Sequence, residues 1–351
     1  MRRLIDKLRV THELAPVEYR ELLTTGDSQA IHYLMDQARE VADERFGKGV
    51  YVRGLIELSN VCRNDCLYCG IRRGNKNVLR YTLTRQQILE CCRQGYQLGF
   101  RTFVLQGGEW GEDRSQWIAD VVAEIRHYWP DCAITLSLGE HPRETYALWR
   151  DAGADRYLLR HETHNERLYS LLHPASMSAR HRLQCLEWLK ELGYQVGAGI
   201  MVGAPFQTIG SIVEDIMYLL DFKPHMIGLG PFIPQHDTPF ARFPAGSVEM
   251  TARLYAILRL AMPKALIPST TAMASLTPDG RLRGILAGAN VVMPNLSPED
   301  NRENYSLYDN KASMGAESIQ GIKKLADELA TIGYHIDWSR GDYPEAATAN
   351  D

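Results

Sequence analysis

Cys62-Arg63-Asn64-Asp65-Cys66-Leu67-Tyr68-Cys69 sets three cysteines at x3 and then x2 spacing. Gly54-Leu55-Ile56-Glu57-Leu58, just before it, is apolar and β-prone, so the cysteines leave the end of a strand. A loop this short can aim three thiolates at one centre. Three sulfur ligands suit a four-iron cluster in which one iron has no protein sulfur and stays open to a chelating ligand. The competing reading is structural zinc, which ordinarily takes four ligands, commonly in two pairs. The nearest further candidates, Cys91 and Cys92, are adjacent in a helical stretch and face different directions. Seven cysteines, an odd number, with no secretory leader argue for a reducing compartment and against disulfides.

Downstream of the loop, short β-branched or apolar runs alternate with amphipathic stretches. Strands are expected at 50–58, 102–106, 133–138, 156–160, 196–202, 226–230, 266–270 and 290–293. Helices are expected between them at 85–98, 115–129, 143–152, 178–192, 209–220 and 249–262, with a short one near 282–287. That alternation predicts an α/β fold, a closed (β/α)8 TIM-type barrel. A doubly wound open sheet is the rival. Polar and glycine-rich signals after most of the strands favour the barrel, whose strand ends share one mouth. Upstream, Ile31, Leu34, Met35, Ala38, Val41 and Ala42 form a 3.6-residue stripe within a helical stretch at 12–48. The expected division is an N-terminal helical extension (1–48), the barrel (49–312), and a C-terminal helix and tail (313–351). The chain has 351 residues, of which 45% are hydrophobic, enough for a large core. No apolar run approaches the roughly 20 residues of a membrane span, and a net charge of −4 gives no case for nucleic acid. A cytoplasmic protein with no membrane and no nucleic-acid partner is expected.

Candidate site residues gather at the strand ends. After the second strand, Gln106-Gly107-Gly108-Glu109 offers backbone that can approach a ligand and a carboxylate that can accept from an ammonium. Ser137-Leu138-Gly139-Glu140 follows the third strand. Arg160-His161-Glu162-Thr163, after the fourth, is the densest polar cluster, and a carboxylate there can bind ribose hydroxyls. His161 reads equally well as a core histidine. Arg182 lies early in the next helix within reach of the same mouth, with Arg180 as its rival. The fifth strand carries Met201 among small residues that leave room for an adenine, and the seventh ends in Thr270-Thr271. The segment 297–310, with Tyr305 and Tyr308, has little core pattern and is expected to cap the mouth.

The cysteine spacing, with Tyr68 before the last cysteine, resembles the radical SAM enzymes. The resemblance extends to Ser59-Asn60-Val61-Cys62, Leu67-Tyr68-Cys69-Gly70, 135–140, 152–163, Gly230-Pro231-Phe232-Ile233-Pro234, Thr270-Thr271-Ala272-Met273 and Met293-Pro294-Asn295. These blocks look like the HydE family, the radical SAM maturases of [FeFe]-hydrogenase. Biotin synthase and methylornithine synthase are the nearest alternatives, and a non-catalytic iron–sulfur carrier is the alternative of another class. The resemblance implies one [4Fe-4S] cluster on Cys62, Cys66 and Cys69. It implies S-adenosyl-L-methionine held by Tyr68, Gln106, Gly107, Gly108, Glu109, Ser137, Glu162, Arg182 and Met201. Reductive cleavage would give a 5′-deoxyadenosyl radical. The substrate implied is small or organometallic, the iron–carbonyl–cyanide–cysteine complex made by HydG. Arg160, Thr270, Thr271, Arg53, Tyr305 and Tyr308 are expected to serve it. Expected partners are a low-potential electron donor (flavodoxin or ferredoxin) and other hydrogenase maturases. Some HydE members carry three further cysteines near the C-terminus for an accessory cluster. Ser313, Ser318 and Gly321 stand at the matching positions here, so a single cluster is expected.

Overall fold

The computed structural model describes residues 1–312 and 319–344. Its centre is a ring of parallel strands. The first barrel strand comes in two pieces, β1 (Gly49–Val52) and β2 (Gly54–Ser59). Around the ring follow β3 (Thr102–Gly107), β4 (Ala133–Ser137) and β5 (Arg156–Leu158). The fifth barrel strand is β6 (Gln195–Ala198) with β7 (Met201–Val202), and the sixth is β8 (Met226–Ile227) with β9 (Gly230–Pro231). A six-stranded sheet runs β2-β3-β4-β5-β6-β8. The seventh position is reduced to single bridges, Met226↔Leu266 and Pro268↔Val291. From there β10 (Val291–Val292) pairs with β1, which brings the last barrel strand back to the first. All eight expected strand positions are thus occupied. Between them lie the expected helices, and two short ones, Glu166–Leu172 and Thr271–Leu276, carry too few residues to show a period.

Side chains alternate along the strands. Ile56 and Leu58 of β2 point out into the main core under the helices, while Leu158, Met226, Leu266 and Val291 form a smaller cluster in the lumen. The N-terminal stretch read as one helical region is three helices, Arg2–Thr11, Pro16–Thr24 and Ser28–Phe46. Left-handed His12 ends the first, and Asp27 caps the third by accepting from the Gln29 and Ala30 amides. The helix at 2–11 lies within the expected N-terminal extension (1–48) but ahead of the helical stretch read at 12–48, and Ile5 and Leu8 bury one face of it.

The barrel's lower end is closed by the chain's own C-terminal segment. β11 (His335–Asp337) pairs with β1 on the side away from β10. Beyond it, Arg156 donates to the Arg340 carbonyl and to Asp342. Arg53 donates to the Gly341 carbonyl. The expected C-terminal helix is present as Ile322–Thr331. Its expected start at Gly315, and the positions Ser313 and Ser318, lie outside the described residues. Among the described residues, no helix is long and apolar enough to cross a membrane.

Candidate cluster and cofactor site at the barrel mouth

The cysteine loop leaves β2 and is fastened to the barrel on several sides. Asn60 donates from its side chain to the carbonyls of Leu79 and Asn304. The amides of Arg63, Leu67 and Gly70 donate to the carbonyls of Glu109, Leu172 and Leu307. Arg80 donates to the carbonyls of Asn60, Ile71, Arg72 and Asn75, so one guanidinium stitches both limbs of the loop. Its charge also acts on Cys62 and Cys69. Nothing in the local sequence marked it out.

Burial pushes all three thiols up, Cys69 to about 12; Cys66 and Cys69 are raised further by neighbouring sulfurs and Cys62 by Glu109. Three such thiolates need positive charge at their centre, which an iron–sulfur cluster supplies. The Cys62 sulfur already accepts the Glu109 amide at 3.4 Å, a contact that suits a metal-bound thiolate. The donor set therefore fits the cluster that the spacing implies.

The Gly-Gly-Glu turn owes its glycines to this packing. A Cβ on Gly108 would come 2.1 Å from the Val61 carbonyl oxygen, so only glycine lets the turn lie against the cysteine loop. Glu109 is held by Arg63 at 2.9 Å and by the Glu140 amide at 2.7 Å. Gly139, at φ +90°, makes room for that carboxylate, because a Cβ there would lie 2.2 Å from Glu109 Oε2. The backbone expected to approach a ligand thus approaches the loop that carries the cysteines.

Tyr68 is oriented by a residue the sequence reading missed. Its hydroxyl lies 3.1 Å from His173 Nε2, while His173 Nδ1 lies 2.9 Å from the Tyr169 carbonyl. Nδ1 must donate to that carbonyl, so Nε2 accepts from Tyr68. Burial lowers His173 to about 3, which keeps it neutral for this task. His161 is likewise lowered to about 3 by burial; its Nδ1 accepts the Gly199 amide and its ring lies against Tyr218. It packs as a core histidine.

Arg160 and Glu162 meet directly, at 2.9 Å. Strand alternation would give them one facing, but β5 ends at Leu158 and Glu162 stands at φ 65°. It is the turn that brings them together. Left-handed backbone is costly for a residue with a Cβ. The turn is held by Asp215, which accepts the His164 amide at 2.5 Å and the Thr163 hydroxyl at 3.1 Å. The charge of Glu162 acts on Tyr68 and Cys69, which places it beside the cluster loop.

Arg182 is 7% exposed, whereas Arg180 is on the solvent side of the same helix. Only Arg182 faces the mouth, where its charge acts on Cys66, Tyr68 and Tyr169. Its Nε lies 3.2 Å from Glu140, within ion-pair reach but misaligned for a hydrogen bond. Met201 is buried beside Leu67, Tyr68, Phe232 and Phe240. Ser137 pairs with Gln106 across β3 and β4.

Deeper in the lumen, Arg160 also donates to the Ile200 carbonyl at 2.7 Å, and its charge acts on Tyr255 and Tyr308. Its Nε is buried without a hydrogen-bond partner, and the buried Thr270 hydroxyl lies beside Tyr255. Thr271 opens the helix Thr271–Leu276. Tyr305 is buried, interacts with Gln106, and lies under Lys311. Lys311 in turn pairs with the buried Glu57 of β2, whose other oxygen accepts from Asn295 at 2.9 Å. Neither Glu57 nor Lys311 was foreseen, since each finds its partner far along the chain. Arg53 is not part of this group. It precedes β2 and lies at the closed end, with Met226 Sδ and the Gly341 carbonyl as neighbours.

Comparison with known proteins agrees with this geometry. The radical SAM superfamily pattern matches residues 56–219. The chain is 45% identical over 310 residues to the [FeFe] hydrogenase maturase subunit HydE of Thermotoga maritima, covering 88% of each. It is 28% identical over 331 residues to 3-methylornithine synthase of Methanosarcina acetivorans, covering 93% of this chain and 92% of the other. A crystal structure of methylornithine synthase superposes with a TM-score of 0.84 at 28% identity, covering 95% of this chain and 97% of that one.

Proposed function

The chain belongs to the HydE family of radical SAM maturases, and from that premise we propose that it helps assemble the di-iron subcluster of [FeFe]-hydrogenase, acting on the iron–carbonyl–cyanide–cysteine complex made by HydG. Enzymes of this superfamily use a [4Fe-4S] cluster with S-adenosyl-L-methionine, and together the two supply a 5′-deoxyadenosyl radical when bound. Cys62, Cys66 and Cys69 would hold the one cluster. Glu162 and Arg182 would bind S-adenosylmethionine, the carboxylate through ribose hydroxyls and the guanidinium through the amino-acid end. Glu109 locks the cysteine loop through Arg63, Glu140 orients Arg182, and the His173 bond orients Tyr68. Met201 and its apolar neighbours exclude water from the adenine side.

The observation that carries the substrate reading is the buried Arg160 Nε, which has no hydrogen-bond partner, with the Thr270 hydroxyl beside Tyr255 in the same lumen. Buried donors left without partners are costly unless a ligand satisfies them. A guanidinium suits an amino-acid carboxylate or an anionic complex. Thr271, Tyr305 and Tyr308 would line the same space. Arg53, at the closed end, would instead hold the C-terminal segment in place. A low-potential flavodoxin or ferredoxin would deliver the electron in the cytoplasm, with other hydrogenase maturases supplying substrate and taking product.

Arg160→Leu tests the reading. It should bind S-adenosylmethionine and release 5′-deoxyadenosine slowly, yet form no adenosylated product from the iron complex and fail to mature hydrogenase. Normal maturation by Arg160→Leu would overturn the substrate assignment, and an absence of 5′-deoxyadenosine from the wild-type protein would favour a carrier.

A further inference from the structure

Behind Arg182, the loop after β4 and the first turns of the helix Ala179–Glu191 bring Glu140, His181 and Cys185 together, with one ligand atom of each within 4.8 Å of the others. His181 and Cys185 stand four residues apart on one helix and so share a face. Glu140 Oε2 lies 3.6 Å from His181 Nε2, and that nitrogen lies 3.7 Å from Cys185 Sγ. A tetrahedral zinc with Zn–S of about 2.3 Å and Zn–N and Zn–O of about 2.0–2.2 Å requires N···O and N···S edges of about 3.4 Å and about 3.6 Å. The two separations that involve His181 already stand near those values, and the Glu140 oxygen and the Cys185 sulfur lie within 4.8 Å of each other. Cys185 and Glu140 are buried, and half-exposed His181 leaves a way in from solvent.

We infer that Glu140, His181 and Cys185 form a second metal site, for a divalent cation of the zinc class with solvent in the fourth position. One thiolate, one imidazole and one carboxylate suit such an ion and disfavour magnesium or calcium. The polar neighbours of the Cys185 sulfur include the His141 carbonyl, the His181 ring, the Tyr146 hydroxyl and Glu140. Binding replaces the Cys185 S–H bond by a sulfur–metal bond and releases the proton to solvent.

Glu140 makes the site more than a sink for metal. Its Oε2 faces His181, while its Oε1 faces Arg182 at 3.2 Å and the Tyr169 hydroxyl at 3.5 Å. A cation on Oε2 draws the carboxylate toward His181 and alters the hold on Arg182. This second step rests on the cofactor role proposed for Arg182; the metal site itself does not.

Holoprotein with its cluster reconstituted, so that Cys62, Cys66 and Cys69 are occupied, is titrated with cobalt(II), with zinc as competitor. The expected result is one equivalent bound, with tetrahedral ligand-field bands and a sulfur-to-cobalt charge-transfer band that zinc abolishes. Cys185→Ser should remove the charge-transfer band, His181→Ala should weaken binding at least tenfold, and Cys91→Ser should change neither. His181 is exposed, so its variant keeps the fold even where Cys185→Ser does not. No saturable cobalt binding to the holoprotein, or undiminished binding to His181→Ala, overturns the site. S-adenosylmethionine affinity measured with and without zinc should differ; equal affinities with the metal bound overturn the link to Arg182 alone.

Discussion

Arg156 and Arg160 flank the same short strand, one opening β5 and the other following it, and their surroundings differ in kind. Arg156, 3% exposed, donates to the Thr102 hydroxyl, the Gln195 side chain, the Arg340 carbonyl and Asp342. Arg160 has a carboxylate and a carbonyl, but its Nε has no partner. At Arg156 the closed end of the barrel spends its charge on itself, although nearby Arg53 keeps an Nε without a hydrogen-bond partner, and at Arg160 the mouth leaves part of its charge unspent. An arginine's depth along one strand therefore decides whether it stabilises the fold or waits for a ligand.

The sharpest way to separate the two ends is to damage each in turn. Cys66→Ala at the mouth should abolish cluster retention and S-adenosylmethionine cleavage, read by iron and sulfide content and by 5′-deoxyadenosine release. Thermal stability of the cluster-free protein should move by less than about 0.5 kcal/mol, because the residue sits on a half-exposed loop. Full iron content in this variant would break the comparison.

At the other end, Asp342→Ala leaves Arg156 buried without its carboxylate. Loss of one partner of such a pair costs about 3 kcal/mol or more, measured by denaturant unfolding, with cluster content unchanged. Burial alone would raise Asp342, but Arg156 and Arg340 overcome it and hold the carboxyl at about 2. An unfolded aspartate titrates near 3.9. Because the folded value is the lower one, this stabilisation is complete above about pH 4 and is lost as pH falls through about 2. The gap between wild type and Asp342→Ala should narrow over that window; a constant gap would show that the ion pair is not its source.

A smaller effect tests the strained turn at the mouth. Glu162→Gln removes one charged hydrogen bond and should weaken S-adenosylmethionine about tenfold, from a cost of roughly 1.5–3 kcal/mol, leaving the cluster intact. Glu162→Gly relieves the left-handed backbone and should raise stability by up to about 1 kcal/mol while losing the same binding. If Glu162→Gly binds as wild type does, the turn is structural.

The sequence made much of this legible because the barrel repeats one pattern. Each strand is an apolar run, and the polar signals that follow fall at one end by construction. Depth and long-range pairing were not legible. Arg53 opens an apolar run just as Arg156 does, and only the β1–β11 pairing shows that this end is shut. Arg180 and Arg182 differ only in helix phase, which is ambiguous in the first turn until Glu140 and the cysteine loop are in place. Arg160 and Glu162 were expected to share a facing by strand spacing; they do meet, but through a left-handed turn that no local pattern announced. Glu57 reads as an ordinary interruption of a strand until Lys311 and Asn295 arrive from far along the chain.

The place of β1, held between β10 on one side and β11 on the other, bears on the order of synthesis. Both partners are made long after β1 has left the ribosome, and the carbonyls of Asn304 and Leu307 that fasten the cysteine loop are made late as well. Until then the first strand has an open edge and the three thiols rest on a loop tied only by its earlier contacts. A ribosome stalled before residue 290 would display a cysteine loop tied by Arg80, Glu109 and Leu172 but lacking its Asn304 and Leu307 fastenings, so a cluster loaded then would sit in a looser cradle than the finished chain provides.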